Sequence, residues 1–111
     1  MTTSGCALAL VGAGAAAGTY AMVQGSAEGF SDAKYDRIWK AAKAVLEEKG
    51  TLTSDDEAGG VLKGKVADTD VTVELVKITE ASTKMRVTAR KNLLPREKLA
   101  EEVYTAIAKK L

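Results

Sequence analysis

The sequence predicts an α+β fold, a two-layer sandwich in which an antiparallel sheet of about four or five strands carries two helices on one face. Three observations predict it. Two segments have hydrophobic residues at the three- and four-residue spacing of a helix. Between them, shorter segments alternate hydrophobic and polar residues, which indicates strands with one dry and one wet face. The loops between these strands are short, which favours antiparallel pairing. The predicted order is therefore strand, helix, strand meander, helix.

Length and composition limit what the chain can do. Its 111 residues correspond to one domain rather than two. It has 16 Lys and Arg against 15 Asp and Glu, so no strong overall field attracts nucleic acid or an anionic membrane. Because there is no His and a single Cys, the commonest general base is missing, and neither an internal disulfide nor a zinc site of cysteines alone can form. We expect no catalytic centre, no metal site, no cofactor and no nucleic-acid partner.

Charge divides the sequence into two parts. Residues 1–27 contain no charged side chain, and every charged residue falls in 28–111. Ala and Gly dominate the uncharged part from Ala7 to Met22. We therefore expect segment 1–19 to be a tether and residues 20–111 to form the α+β domain.

The first predicted helix spans residues 33–49. Gly50 follows its hydrophobic stripe, as is typical of helix C-terminal ends, and Ser31 or Asp32 is expected to cap its start. The second helix is expected to begin near Pro95, because proline fits the first helical turn. The predicted stripes are Tyr35, Ile38, Trp39, Ala42, Val45 and Leu46 in the first helix, and Leu99, Val103, Ala106, Ile107 and Leu111 in the second.

The predicted strands lie on both sides of the first helix. A Gly-rich strand is expected over residues 20–30, and a slip in the alternation at Leu75-Val76 indicates a bulge in a later strand. Polar turns separate the strands of the meander. These strands are Thr51–Ser54, Gly60–Ala67, Val71–Ile78 and Thr83–Lys91, and the turns are Asp68–Asp70 and Glu80–Ser82.

The wet face of the predicted meander is basic. Lys or Arg alternates with the hydrophobic residues of each strand, and Glu74 is the main acidic residue expected among them. Two interpretations stay open: the face contacts anionic lipid headgroups, or it is a solvated face whose charges prevent edge pairing. Aromatic residues do not alternate with these charges, which argues against stacking on single-stranded nucleic acid. The candidate contact residues are Lys63, Lys65, Lys84, Arg86 and Arg90.

The Ala- and Gly-rich segment allows three interpretations. Leu8–Gly14 resembles a strand entering a dinucleotide-binding turn, but the residues that follow do not form a parallel strand–helix–strand unit. Ala7–Val23 is uncharged, yet it lies near the lower limit of about 17 residues for a membrane span and lacks basic flanks. A membrane oligomer built on its glycines stays open as an alternative. The third interpretation centres on Cys6.

Cys6 lies in the small-residue pattern Ser4-Gly5-Cys6-Ala7, of the kind at which bacterial lipoproteins are processed. Together with Leu10–Tyr20, Val23-Gln24-Gly25 and Asp36–Trp39, this pattern resembles a family of short, functionally uncharacterised bacterial lipoproteins. The resemblance implies export, acylation of Cys6 and a small α+β domain in the cell envelope. Ala7 after the cysteine implies the outer membrane, facing the periplasm. The resemblance implies no catalytic residue.

Two features depart from the pattern of that family. Thr3 stands three positions before Cys6, where such sites prefer Leu. The residues before Cys6 are also fewer than the basic and apolar regions of a complete signal peptide require, so we expect the signal peptide of an exported parent to begin upstream. The alternative for Cys6 is a free thiol.

These observations predict a non-enzymatic, lipid-anchored domain of the cell envelope that binds or assembles with a partner. The expected partners are the membrane, through acylated Cys6, and either an envelope protein or anionic headgroups. The alternative is a carrier of a small apolar ligand, with a cavity between helix 33–49 and the sheet. Ala42, Gly64 and Ala89 are small enough to leave space for such a cavity.

Overall fold

The computed structural model describes residues 20–80, 82–92 and 94–111. The predicted tether 1–19, with Cys6, lies outside the described residues. In the described part, a hairpin of two strands precedes the first helix, and five more strands lie between the first helix and the second. The elements are β1 (Tyr20–Val23), β2 (Ser26–Ser31), α1 (Tyr35–Lys49), β3 (Thr51–Asp56), β4 (Val61–Val66), β5 (Thr69–Thr79), β6 (Ser82–Lys91), β7 (Leu94–Pro95) and α2 (Glu97–Lys109).

The seven strands of the described residues form one antiparallel sheet. Its order is β1-β2-β6-β5-β4-β3, and β7 pairs with the end of β6. The α+β class, the antiparallel sheet and the two helices are confirmed, but the predicted number of four or five strands is wrong. The predicted strand over residues 20–30 is instead a hairpin of two strands, and Leu94–Pro95 forms a short strand where we expected the start of a helix.

Two hairpins turn through residues with left-handed backbone. Gln24 and Gly25 connect β1 to β2 with φ values of 51° and 85°, and Ala67 and Asp68 connect β4 to β5 with φ values of 50° and 63°. Two-residue turns with positive φ at both positions have the twist that an antiparallel hairpin requires. The predicted turn at Asp68–Asp70 is therefore shifted, and β5 begins at Thr69.

The bulge predicted at Leu75-Val76 is wrong. Val76 pairs regularly with Lys84, and the register of β5 against β6 shifts later, between Lys77 and Thr79. A second shift lies in β3, between Leu52 and Ser54. The sequence pattern located the correct strand but not the position of the extra residue, which depends on the pairing with β6.

The predicted cap of α1 is also wrong. Lys34 occupies the N-cap position, and no side chain caps the helix there. Ser31 instead belongs to β2, where it pairs with Thr83 and accepts a hydrogen bond from the Ala33 N–H at 3.2 Å. The C-terminal end is as predicted, because Gly50 follows the helix and its N–H donates to the Leu46 carbonyl oxygen at 3.0 Å.

The second helix begins at Glu97 rather than at Pro95. The Arg96 N–H donates to the Ala89 carbonyl oxygen at 2.7 Å, so β6 holds the preceding segment against the sheet. The buried face of α2 is rotated from the predicted stripe. Leu99, Ala106 and Leu111 are partly buried, and the buried residues are Ala100, Val103, Tyr104, Ile107 and Ala108.

The helices and one face of the sheet share one hydrophobic core. α1 contacts β3, β4 and β5, α2 contacts β2 and β6, and the two helices contact each other. Buried and exposed residues alternate along β4, β5 and β6, so that one face of the sheet is dry. The buried side chains of these strands are Leu62, Val66, Val71, Val73, Leu75, Met85, Val87 and Ala89.

Candidate functional site on the open face of the sheet

The side chains that alternate with this core form the other face of the sheet, which we call the open face. Strand register brings them into rows, since residues paired across antiparallel strands project to the same side. The pairs Glu28–Arg86 and Arg86–Glu74 form one row, and Phe30–Lys84 and Lys84–Val76 form the next. The open face includes Ser26, Glu28, Phe30, Val61, Lys63, Lys65, Asp70, Thr72, Glu74, Val76, Lys84, Arg86, Thr88 and Arg90.

All five predicted basic residues lie on the open face, but acidic residues stand between them. The Lys65 Nζ lies 3.9 Å from the Asp70 carboxylate, and Arg90 pairs with Asp70 from the other side. Lys63 pairs with Thr72 instead. The contact role predicted for these residues stays a prediction, and three acidic residues, Glu28, Asp70 and Glu74, lie among the five basic ones.

Glu28 is the acidic residue that sequence reasoning missed. Its carboxylate lies 3.5 Å from Lys84 Nζ and 3.8 Å from Arg86 Nε, so two cations share one carboxylate. Pairs at these distances with partly exposed side chains stabilise a protein by about 0–1 kcal/mol. These ion pairs orient Lys84 and Arg86, but they leave one hydrogen-bond donor of Arg86 unsatisfied. Arg86 Nε is buried and has no hydrogen-bond partner in the described part of the chain.

Large apolar side chains stand beside these charges. Phe30 is 57% exposed and Val76 is 52% exposed, and the two lie on either side of Lys84 in one row of the open face. Ile78, further along β5, is 51% exposed. We call Phe30 and Val76 the apolar corner. The sequence did not indicate this group, because β2 and β5 are distant in the chain and both pair with β6.

A small cleft opens next to the apolar corner. Its volume is about 180 Å³, and Glu74, Val76, Lys84 and Arg86 line it. Glu74 stands directly across the strands from Arg86, and no ion pair to its carboxylate is formed within the described residues. The cleft therefore combines two cations, one unpaired carboxylate and an apolar wall.

Residues 1–92 match the family model described as "Protein of unknown function (DUF3568)". The chain belongs to the DUF3568 family. The matched residues include Cys6 and every residue of the open face, and they end before α2. No curated protein matches the chain.

In this DUF3568 chain, Leu46 packs beside Gly64, where the carrier alternative would need space. Ala42 and Ala89 are fully buried, and Leu46 side-chain atoms lie 3.5 Å from the position a Cβ would take on Gly64. Three larger clefts of about 530, 480 and 450 Å³ open at the surface, beside Arg96, Tyr35 and Lys109 respectively. Ala42, Gly64 and Ala89 line none of them, so these clefts are not the predicted cavity.

The acidic turn after β3 uses a carboxylate to hold its own backbone. Asp56 Oδ1 accepts a hydrogen bond from the Gly59 N–H at 3.0 Å, which fixes the turn between β3 and β4. Within residues 20–80, 82–92 and 94–111, no three His, Cys, Asp or Glu side chains come together in a way that could hold a metal ion. The two described helices are also too short or too polar to cross a membrane.

Proposed function

We propose that this DUF3568 chain is a non-enzymatic, lipid-anchored domain of the cell envelope that binds or assembles through its open sheet face. The observation that carries the proposal is the exposure of Phe30 and Val76 on a face that neither helix covers. Each side chain exposes more than half of its surface beside Lys84 and Arg86. Neighbouring apolar side chains that form an exposed patch rimmed by polar residues are typical of interaction sites.

The position of Cys6 supports the anchor. Ser4-Gly5-Cys6-Ala7 has the pattern of a lipoprotein processing site, and fourteen positions separate Cys6 from Tyr20, where β1 begins. A chain of that length reaches at most about 50 Å, so the domain would remain close to the membrane that holds the acyl chains. We place the protein on the outer membrane, facing the periplasm, by analogy with lipoproteins that have a small neutral residue after the cysteine.

Composition supports the non-enzymatic role. The sequence has no His, and the charged residues of the open face are interleaved by sign instead of converging as two carboxylates or as a nucleophile and its base. Such a surface recognises a partner through complementary charge and apolar contact.

Mass spectrometry of the protein from its native host tests the anchor. The expected result is a chain that begins at Cys6, with the mass of the acyl groups on that residue. Cys6→Ser is expected to move the protein from the membrane fraction to the soluble fraction, whereas the matched control Ser4→Ala is expected to leave it with the membrane. Recovery of unmodified wild-type protein from the cytosol would overturn the proposal.

A further inference from the structure

The described part of the chain begins at the same end of the sheet as the apolar corner. Tyr20, the first residue of β1, pairs with Gly29, which is adjacent to Phe30. A chain running from Cys6 therefore enters the sheet beside Phe30 and not at the opposite end, where Arg90 and Pro95 pair.

The charges beside the apolar corner are balanced. Lys84 and Arg86 are offset by Glu28, which pairs with both, and by Glu74, which has no ion pair in the described residues. A purely anionic ligand in the cleft would be attracted by the two cations and repelled by the Glu74 carboxylate. A ligand that carries both a phosphate and an ammonium group would match all three side chains.

We propose that the cleft of Glu74, Val76, Lys84 and Arg86 binds the phosphoethanolamine headgroup of a membrane phospholipid. The phosphate contacts Lys84 and Arg86, whose side chains line the cleft and are 36% and 37% exposed. The ammonium group donates hydrogen bonds to Glu74. The apolar corner enters the boundary between headgroups and acyl chains, where exposed aromatic and aliphatic side chains gain from leaving water.

This assignment deepens the proposed function and rests on it for the proximity of a membrane. It orients the domain, because the open face then lies against the bilayer and the two helices point away from it. The assignment also predicts that phospholipids with different headgroups bind with different strength. Phosphatidylcholine has the same charges but no N–H to donate to Glu74, and phosphatidylglycerol has a phosphate but no cation.

Vesicle co-sedimentation with the full chain carrying Cys6→Ser tests the headgroup directly, since this protein has no acyl anchor. The vesicles are phosphatidylcholine alone, an equal mixture with phosphatidylethanolamine, and an equal mixture with phosphatidylglycerol. We expect binding to the phosphatidylethanolamine mixture to exceed binding to phosphatidylcholine alone by about tenfold, which corresponds to about 1.4 kcal/mol. The phosphatidylglycerol mixture is expected to bind more weakly than the phosphatidylethanolamine mixture.

Two variants assign the contacts. Glu74→Gln is expected to abolish the preference for phosphatidylethanolamine and to raise binding to phosphatidylglycerol, because it removes the negative charge. Phe30→Ser is expected to weaken binding to every vesicle by about tenfold. The matched control is Leu94→Ser, which removes a side chain that is 61% exposed at the other end of the sheet and should leave binding unchanged. Thermal unfolding of each variant establishes that it is folded.

The results separate the two proposals. Equal binding to phosphatidylcholine and phosphatidylethanolamine, an unchanged preference in Glu74→Gln, or binding by the open face to an envelope protein but to no vesicle would overturn the headgroup assignment. If acyl groups are found on Cys6 and no vesicle preference exists, the assignment fails and the anchor stands. If the preference exists and Cys6 is unmodified in the host, the anchor fails and the assignment stands.

Discussion

The ring of Tyr20 in β1 lies 4.7 Å from the ring of Tyr104 in α2, with the two planes inclined by 39°. The Tyr20 hydroxyl donates a hydrogen bond to the Glu101 carboxylate at 3.0 Å, so the edge strand is fixed to the second helix at two points. The Tyr104 hydroxyl, in contrast, is buried and has no hydrogen-bond partner in the described part of the chain. This contact therefore contains one satisfied and one unsatisfied hydroxyl group.

Removal of the Tyr104 hydroxyl should not destabilise the protein. A buried hydroxyl without a partner has lost its hydrogen bonds to water, so we expect Tyr104→Phe to raise the free energy of unfolding by about 1 kcal/mol. The matched control Tyr20→Phe removes a hydroxyl that has a partner and should lower it by about 1 kcal/mol. Urea unfolding measures both. A loss of stability in Tyr104→Phe as large as that in Tyr20→Phe would show that the Tyr104 hydroxyl is satisfied.

The same burial makes stability depend on alkaline pH. Desolvation by burial, together with the nearby Tyr20, raises the pKa of Tyr104 from 10.0 to about 12. Because the folded protein retains this proton to a higher pH than the unfolded chain does, the contribution to stability is complete below pH 10.0 and is lost as the pH rises from 10.0 to about 12.

The loss amounts to about 2–3 kcal/mol, given about 1.4 kcal/mol for each pKa unit. Urea unfolding of the wild type and Tyr104→Phe at a series of pH values measures it, together with the coupling between Tyr104 and Tyr20. We expect the stability of the wild type to fall more steeply above pH 10. Parallel curves would contradict the raised pKa of Tyr104.

The turn between β4 and β5 should be easy to improve. Ala67 and Asp68 both have positive φ, and Ala in particular adopts this conformation at a cost, whereas Asn at the first position and Gly at the second are preferred. We expect the double substitution Ala67→Asn and Asp68→Gly, which installs the preferred pair for this turn, to raise the free energy of unfolding by about 1 kcal/mol. Ala58→Asn, at an exposed turn position with ordinary φ, is the control and should have little effect. An unchanged unfolding midpoint in the double variant would show that the positive φ values of Ala67 and Asp68 do not destabilise the protein.

Local sequence patterns were sufficient to predict the elements whose buried residues follow the regular spacing of a strand or a helix. In β4, Lys63 and Lys65 alternate with Leu62, Gly64 and Val66, and this alternation alone placed the lysines on the wet face. The stripe of α1 was predicted nearly completely for the same reason, since its buried residues repeat at helical spacing.

The errors arose where tertiary pairing overrides a local signal. Ser31 is a good capping residue, but its pairing with Thr83 keeps it in β2, and Pro95 fits a helix start, but its pairing with Arg90 makes it part of β7. The candidate site depends on the same long-range pairing. Glu28 and Phe30 reach Lys84 and Arg86 only because β2 joins β6, and no local feature of residues 26–31 indicates that partner.

The packing of Leu46 decides between a filled core and a carrier. Leu46 is fully buried in α1, and its Cβ and Cδ2 atoms lie 3.5 Å from the Cβ position of Gly64, so it fills the space that the small residues leave. We expect Leu46→Ala to lower the free energy of unfolding by about 3–5 kcal/mol, since the lost transfer energy and the new cavity both contribute.

Urea unfolding measures this loss, and Leu52→Ala is the matched control. Leu52 is half-buried in β3, so the same truncation there should cost about 1 kcal/mol. The cavity opened by Leu46→Ala should also take up xenon, because it is enclosed by apolar groups, whereas the wild type should not. Uptake of xenon by the wild type, together with a loss below about 2 kcal/mol in Leu46→Ala, would show that space already exists beside Gly64 and would restore the carrier hypothesis.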